Sequence, residues 1–265
     1  MISIIICTLN EEQYLPKLLE SLNRQKGALD YEVLVIDAGS SDDTEGVVRR
    51  FKDSYFGFQQ ETTDITHPKP EIRYSLRFVP FNQRGVARQR NEGAKLAKYE
   101  QLLFLDADVV LNEAFLAVAL RQIEAKKLPI AGTKLYAAEP SKVFRAIYSF
   151  YSNIYLPITR WFNPVIHGCS IFVTKQMHDQ IGGFKEGILF EDFRYGADAA
   201  KIFRPPLLRG EAYVRTSARR FYNFSPKAVG ELVKGSLQSF FKAGIDPSTM
   251  SSYEQTTGNH APPRY

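Results

Sequence analysis

The chain has 265 residues, 44% of them hydrophobic and 24% charged, the balance of a soluble globular protein with room for one substantial α/β core. A formal net charge of +5 and a pI near 9.0 suit a phosphorylated ligand or an anionic surface. The basic residues are not clustered as nucleic-acid binding requires, so nucleic acid is excluded as a partner.

Two cysteines, Cys7 and Cys169, lie in apolar runs without metal-ligand spacing, so buried free thiols are expected rather than a disulfide. No signal-peptide pattern opens the chain, and no apolar run approaches the ~20 residues of a membrane span. The expected location is the cytoplasm.

Ile2 to Cys7 is a β-branched run and reads as a buried strand. It breaks at Thr8-Leu9-Asn10-Glu11, where Asn10 is placed to cap a helix with Gln13 in capping-box position. Leu15, Leu18, Leu19 and Leu22 recur at helical spacing, and Gly27 ends that helix. A second buried strand, Tyr31 to Ile36, stops at Asp37-Ala38-Gly39. The following helix carries Val47, Val48 and Phe51. This alternation predicts a parallel, right-handed βαβ sheet.

Residues 55 to 73 are polar, with Pro68 and Pro70, and are expected to form a loop or insertion. Arg77 to Pro80 is a short third strand. A basic stretch with Asn82, Arg84, Arg88 and Arg90 leads into a helix through Ala87, Ala94 and Leu96.

Gln101 to Val110 comes next and organises the rest. Leu102 to Leu105 reads as a strand buried on both faces, ending in Asp106-Ala107-Asp108. In extended chain, residues two apart point the same way, so both carboxylates should emerge together at the sheet edge where α/β proteins bind ligands. Two hard oxygen ligands suit Mg²⁺ or Mn²⁺ and, through the metal, a diphosphate. An acidic turn would have the same composition.

The second half is less regular. A helix is expected from Asn112 to Lys127, a strand from Pro129 to Tyr136, an aromatic-rich helix from Ser141 to Phe162 and a strand from Cys169 to Val173. A turn at Gly182-Gly183 leads to Phe190-Glu191-Asp192 and a helix to Phe203. Glu211 to Thr216 is a strand. Ser225-Pro226 starts a helix whose stripe runs from Val229 to Phe241. The expected organisation is a single domain over residues 1–245, divided into a nucleotide-binding half (1–110) and an acceptor-side half (111–245). Residues 246–265 are expected to form a flexible tail. The 141–162 and 226–243 helices combine apolar stripes with basic residues, a pattern that fits peripheral membrane contact as well as ordinary packing.

In this order the motifs Ile-Ile-Ile-Cys-Thr-Leu-Asn-Glu, Val-Ile-Asp-Ala-Gly-Ser-Ser-Asp-Asp-Thr, Arg90-Asn91-Glu92-Gly93, Phe-Leu-Asp-Ala-Asp, Gly182-Gly183-Phe184 and Glu191-Asp192 resemble the inverting family 2 glycosyltransferases of the GT-A fold. The resemblance covers residues 2 to 220. It implies a Rossmann-like, mostly parallel sheet flanked by helices, with a smaller mixed acceptor-side region. It implies a UDP- or GDP-sugar donor lined by Thr8, Leu9, Asn10, Glu11, Asp37, Asn82, Arg90, Asp106 and Ala107. It also implies a divalent metal at Asp106 and Asp108, and Asp192 as the base that deprotonates an acceptor hydroxyl.

Ala38 stands where many members carry a second acid, which leaves the nucleotide base open. Without a Gln-x-x-Arg-Trp segment, a processive synthase is not expected. The acceptor is open and includes lipid-linked molecules. Thr216 to Arg220 lies where members place phosphate or acceptor contacts, and a solvated basic turn fits it equally. His167 is expected to be an internally hydrogen-bonded residue rather than a metal ligand. The competing readings are a sugar nucleotidyltransferase, whose Gly-rich triphosphate loop is missing between Ile6 and Asn10, and a non-catalytic nucleotide-sugar-binding protein.

Overall fold

The computed structural model describes residues 1–27, 30–56, 73–138, 141–162, 166–188, 190–217 and 219. Its elements in chain order are β1 (Ile2–Thr8), α1 (Leu15–Asn23), β2 (Asp30–Asp37), α2 (Thr44–Phe56), β3 (Arg73–Pro80), α3 (Val86–Leu96), β4 (Gln101–Asp106) and β5 (Val109–Leu111). They continue with α4 (Phe115–Lys126), β6 (Ile130–Gly132), β7 (Lys134–Ala137), α5 (Lys142–Phe150), a π-helical turn (Tyr151–Tyr155), α6 (Leu156–Phe162), β8 (Ser170–Thr174), α7 (Lys175–Ile181), α8 (Glu191–Ala200) and β9 (Tyr213–Thr216).

Six strands form one sheet in the order β3-β2-β1-β4-β8-β6, and three form a second in the order β5-β9-β7. In the large sheet β3, β2, β1 and β4 are parallel, whereas β8 runs antiparallel between β4 and β6. The small sheet is mixed: β5 is antiparallel and β7 parallel to β9. This is the expected mostly parallel α/β sheet with a smaller mixed region.

Period-two alternation sorts each central strand onto two faces. Ile4 and Ile6 of β1, Val33 and Val35 of β2, and Leu103 and Leu105 of β4 meet the leucines of α1, Val47 and Val48 of α2 and Phe115 of α4. Ile5, Leu34, Ile36 and Phe104 face the opposite way and meet Ala87 and Ala94 of α3, Met177 of α7 and Tyr195 of α8. Each fully buried aliphatic side chain contributes about 1.5–3 kcal/mol relative to exposure, so the central strands carry most of the core. Helix α3 lies unusually close to the sheet at Gly93, where an added Cβ would stand 2.3 Å from Ile5 Cγ2. That approach brings Arg90, one turn earlier, down onto the strand ends.

Several expectations are corrected. Asn10 does not cap α1: the helix starts after Tyr14 with no side-chain cap and with Pro16 in its first turn. Asn10 instead adopts φ 58° and accepts from the Ser41 amide at 2.8 Å, tying the β1 end to the β2–α2 loop. The third strand begins at Arg73, not Arg77, and α2 extends to Phe56, which trims the expected 55–73 loop from both ends. The expected Pro129–Tyr136 strand divides into β6 and β7, one in each sheet. Gly132 sits at the division, packed so closely on Ile166 and Leu207 that a Cβ would meet both within 3.3 Å. The expected 226–243 helix and the 246–265 tail lie outside the described residues.

Candidate active site

The site grows from three parallel strand ends. In register, Thr8 of β1 pairs with Asp37 of β2, and Cys7 of β1 pairs with Asp106 of β4. Strand β1 therefore lies between a strand that precedes the crossover and one that follows it, the position where α/β sheets open a crevice.

At the β2 end, Asp37 is buried and accepts from the Thr8 hydroxyl at 2.9 Å, the Gly39 amide at 3.0 Å and the Ser40 amide at 2.8 Å. The carboxylate thus builds its own turn and clamps it to β1. Gln89 of α3 adds a second clamp, donating to the carbonyls of Thr8 and Ile36 at 2.9 and 2.7 Å. Leu9 follows Thr8 half-buried, and Asn82 lies exposed, its Oδ1 3.5 Å from where a Cβ on Gly39 would be.

The chain leaves the large sheet at Asp106, turns through Ala107 and Asp108, and enters the small sheet at Val109. The expectation of two carboxylates projecting together from extended chain is therefore corrected, because the acids flank a turn between two sheets. Each takes its own arginine. Asp106 accepts from Arg90 Nη2 at 3.0 Å. Asp108 accepts from Arg219 Nε at 3.1 Å and from the Thr216 hydroxyl at 3.3 Å. Arg219 also donates to Glu11 at 2.5 Å and stacks over the Tyr14 ring at 4.2 Å, so it ties the β1–α1 loop to the acidic corner.

Arg90 was expected to line the donor directly. It is instead 2% exposed, with its guanidinium 5.0 Å from the Phe184 ring centroid. It donates to Asp106, to Glu191 at 2.8 Å and to the Gly168 carbonyl at 3.2 Å. Its neighbour Asn91 exchanges two hydrogen bonds with the Phe184 backbone, donating at 2.9 Å and accepting at 2.8 Å. The Arg90-Asn91 and Gly182-Gly183-Phe184 motifs are thus two sides of one contact. Gly168 is required where it is: an added Cβ would stand 2.4 Å from Arg90 Nη2 and 3.2 Å from Asp192 Oδ2.

Asp192 is the second residue of α8, whose N-cap is Phe190 at φ 57°, so Asp192 is not itself the cap. Its Oδ2 accepts from the Gly168 amide at 2.6 Å and its Oδ1 from the Phe193 amide at 2.9 Å. A helix N-terminus favours the ionised carboxylate. Burial, reinforced by the adjacent Glu191 charge, outweighs that and pushes its pKa up to about 7, against the lowering effects of Arg90 and the two amides. A carboxylate poised near neutrality is what general-base catalysis favours.

Asp106 and Asp108 supply hard oxygen donors of the kind Mg²⁺ and Mn²⁺ take. Among the described residues no group of three or more His, Cys, Asp or Glu side chains forms a metal cage. The donor set therefore fits an ion held by one or two carboxylates and completed by water and substrate phosphate, the usual Mg²⁺ arrangement. His167 is buried, and its Nε2 donates to the Thr133 carbonyl at 2.7 Å, the internal role expected of it. Burial lowers its pKa, so the ring is neutral. Cys7 and Cys169 form no disulfide, and burial pushes the Cys7 thiol up to about 12.

Three contributors were not singled out from sequence: Gly168, Glu191 as the partner of Arg90, and Arg219 as the partner of Asp108. Arg219 lies inside the flagged Thr216–Arg220 segment, but nothing local distinguishes it from Arg220. The Gly168 contacts span 24 and 78 positions and leave no periodic trace.

Residues 3–185 match Glycosyl transferase family 2. Validoxylamine A glucosyltransferase of Streptomyces hygroscopicus subsp. jinggangensis is 33% identical over 123 residues, 45% of this chain and 25% of that protein. A PGL/p-HBAD biosynthesis glycosyltransferase of Mycobacterium bovis is 34% identical over 114 residues, 43% of this chain and 38% of that protein. The chain therefore spans well under half the length of these curated relatives. Among solved structures, the mannosyltransferase PcManGT from Pyrobaculum calidifontis, in complex with GDP-Man and Mn²⁺, superposes with TM-score 0.61 at 19% identity, over 82% of this chain and 56% of that one. Staphylococcus aureus TarS 1-349 in complex with UDP-GlcNAc does so with TM-score 0.60 at 22% identity, over 82% and 58%. These likenesses establish the fold, the GT-A arrangement. The family match runs over more than half of the residues, and the chain belongs to glycosyl transferase family 2.

Proposed function

We propose that the protein transfers a hexosyl group from a nucleoside-diphosphate sugar to an acceptor oxygen, with inversion at the anomeric carbon. The observation that carries this is Asp192. It is held by the Gly168 amide on the strand-end side of α8, with a pKa near neutrality, and is joined through Arg90 to the acidic corner at Asp106.

In the reaction the acceptor oxygen attacks the anomeric carbon as the bond to the diphosphate oxygen breaks. The electron pair of that bond leaves with the nucleoside diphosphate, and the acceptor proton goes to a carboxylate oxygen of Asp192. Arg90 positions: by bonding Glu191, the Gly168 carbonyl and Asp106 together, it sets the base against the strand ends. Asp106 and Asp108 would hold Mg²⁺ or Mn²⁺, which when bound neutralises the departing diphosphate. Thr8, Leu9, Asn10, Glu11, Asp37, Asn82 and Ala107 line the donor from the β1, β2, β3 and β4 ends, within the nucleotide-binding half at residues 1–110. Residues 111–245 supply the acceptor side. GDP-Man and UDP-GlcNAc in the structures of like fold support a nucleotide-sugar donor.

Incubation with a panel of UDP- and GDP-sugars in Mn²⁺ tests this. Slow release of UDP or GDP from one donor class is expected. A protein that neither binds nor turns over any of them contradicts the proposal.

A further inference from the structure

Helices α5 and α6, joined by the π turn, form one rod with two unlike faces. The winding loosens at Tyr151–Tyr155, where the Leu156 amide bonds back to the Tyr151 carbonyl, five residues earlier. The next residue, Pro157, has no amide hydrogen to offer. The inner face packs inward through Tyr148, Ser152, Leu156 and Thr159, all buried. Ser152 fastens it to β7 by accepting from the Leu135 amide at 3.0 Å.

The outer face carries Val143, Ile147, Phe150, Ile154 and Ile158, which are 66%, 52%, 58%, 48% and 53% exposed. Steps of four, three, four and four residues place them in one stripe along the rod. Among the described residues, five of the eight exposed large apolar side chains lie here, so the exposure is concentrated rather than scattered.

Charge identifies the occupant. Between Ser141 and Phe162 the sequence has Lys142, Arg145 and Arg160 and no acid. Lys142 and Arg145 are exposed at the start of the stripe. A second copy docking through the same face would set one basic, acid-free stretch against another, with no acid from this stretch to pair its cations. A surface apolar beneath and anionic at its boundary satisfies both features. The rod also reaches the active site: Tyr151 lies near enough to Asp192 for that carboxylate to add to the burial that raises its phenol pKa.

We infer that the outer face of α5–α6 seats on an anionic lipid bilayer and so presents a lipid-borne acceptor to Asp192. The docking stands on the rod alone, whereas the acceptor class rests on the proposed transfer.

The test is flotation of the full chain with vesicles of phosphatidylcholine alone and of phosphatidylcholine mixed with phosphatidylglycerol. The protein is expected to float with the mixed vesicles at low salt and less at high salt. Ile147→Glu and Phe150→Glu, both at exposed positions, should each lower the partition coefficient about tenfold or more. Lys142→Ala should lower it about fivefold. Donor hydrolysis in solution should be unchanged in all three, so a failure to float and a failure of the transferase reading register separately. A wild-type protein that stays at the bottom, or variants that float like wild type, overturn the inference. So does a dimer in light scattering that Ile147→Glu dissociates, which would assign the face to a second copy.

Discussion

Two arginines hold the two carboxylates of the Asp106-Ala107-Asp108 corner, in opposite settings. Arg90 is 2% exposed, lies against Phe184 and binds three elements at once. Arg219 has a 21% exposed side chain, lies over Tyr14 and bridges one loop to one strand end. A buried cation held by two carboxylates that are each only 16% exposed is not free to leave, because the charges left behind meet little water. Arg219 is less deeply set, although Asp108 beneath it is itself only 5% exposed and keeps the Thr216 hydroxyl as a second partner. The corner is therefore held more tightly by Arg90, on the side of the base, than by Arg219, on the side where a diphosphate would arrive.

The Arg90 side carries the largest expected effects. Asp192→Asn keeps the size of the side chain but cannot take a proton, so transfer should fall by about 10²–10⁴-fold. Donor affinity should hold, because the proposed donor contacts lie on other strand ends. Single-turnover transfer beside donor titration checks both. A variant that transfers normally would return Asp192 to a structural role.

Arg90→Ala should destabilise the fold by about 3–5 kcal/mol, the usual result of removing one partner from a buried ion pair. Denaturant unfolding measures it, and a loss near that of an exposed pair would erase the contrast between the two arginines.

The raised pKa of Asp192 predicts pH dependence of both rate and stability. Transfer should drop about tenfold per unit as pH falls below about 7, because the base becomes protonated. For stability the sign is the reverse of an ordinary paired carboxylate. The folded state holds this proton between pH 3.8, the ordinary value, and about 7, where the unfolded chain has released it. Stability therefore falls as pH rises through that window, and Asp192→Asn should abolish that part of the decline. Thermal melts of both proteins across the window give the comparison.

The smallest effect belongs to the Arg219 side. Arg219→Ala should destabilise by about 1–3 kcal/mol, less than Arg90→Ala, because buried Asp108 loses one partner and keeps the Thr216 hydroxyl, while nucleoside diphosphate binds about tenfold more weakly for want of a charge-assisted contact. Losses that fall on folding instead would make Arg219 a second Arg90.

How much of this was legible beforehand follows from sequence distance. The large sheet was, because runs such as Ile2–Ile6 and Leu102–Leu105 encode burial locally. Asp106, Asp108 and Asp192 were legible as acids at element ends. Their partners were not: Arg219 reaches Glu11 across 208 positions and Arg90 reaches Glu191 across 101. The burial of Arg90 was not legible, because an arginine before a strand end reads the same whether it faces phosphate or the interior. The split of Pro129–Tyr136 across two sheets depends on how Gly132 packs on Ile166 and Leu207, which no periodicity records.

Calorimetric titration of UDP and GDP, with Mn²⁺ and with excess chelator, into wild type and Asp108→Ala tests the central claim most directly. One nucleotide should bind wild type in Mn²⁺, lose that binding in chelator, and fail to bind the variant, which should melt close to the wild-type temperature. Equal affinity with and without metal, or undiminished binding to Asp108→Ala, would contradict the assignment of this corner to the diphosphate.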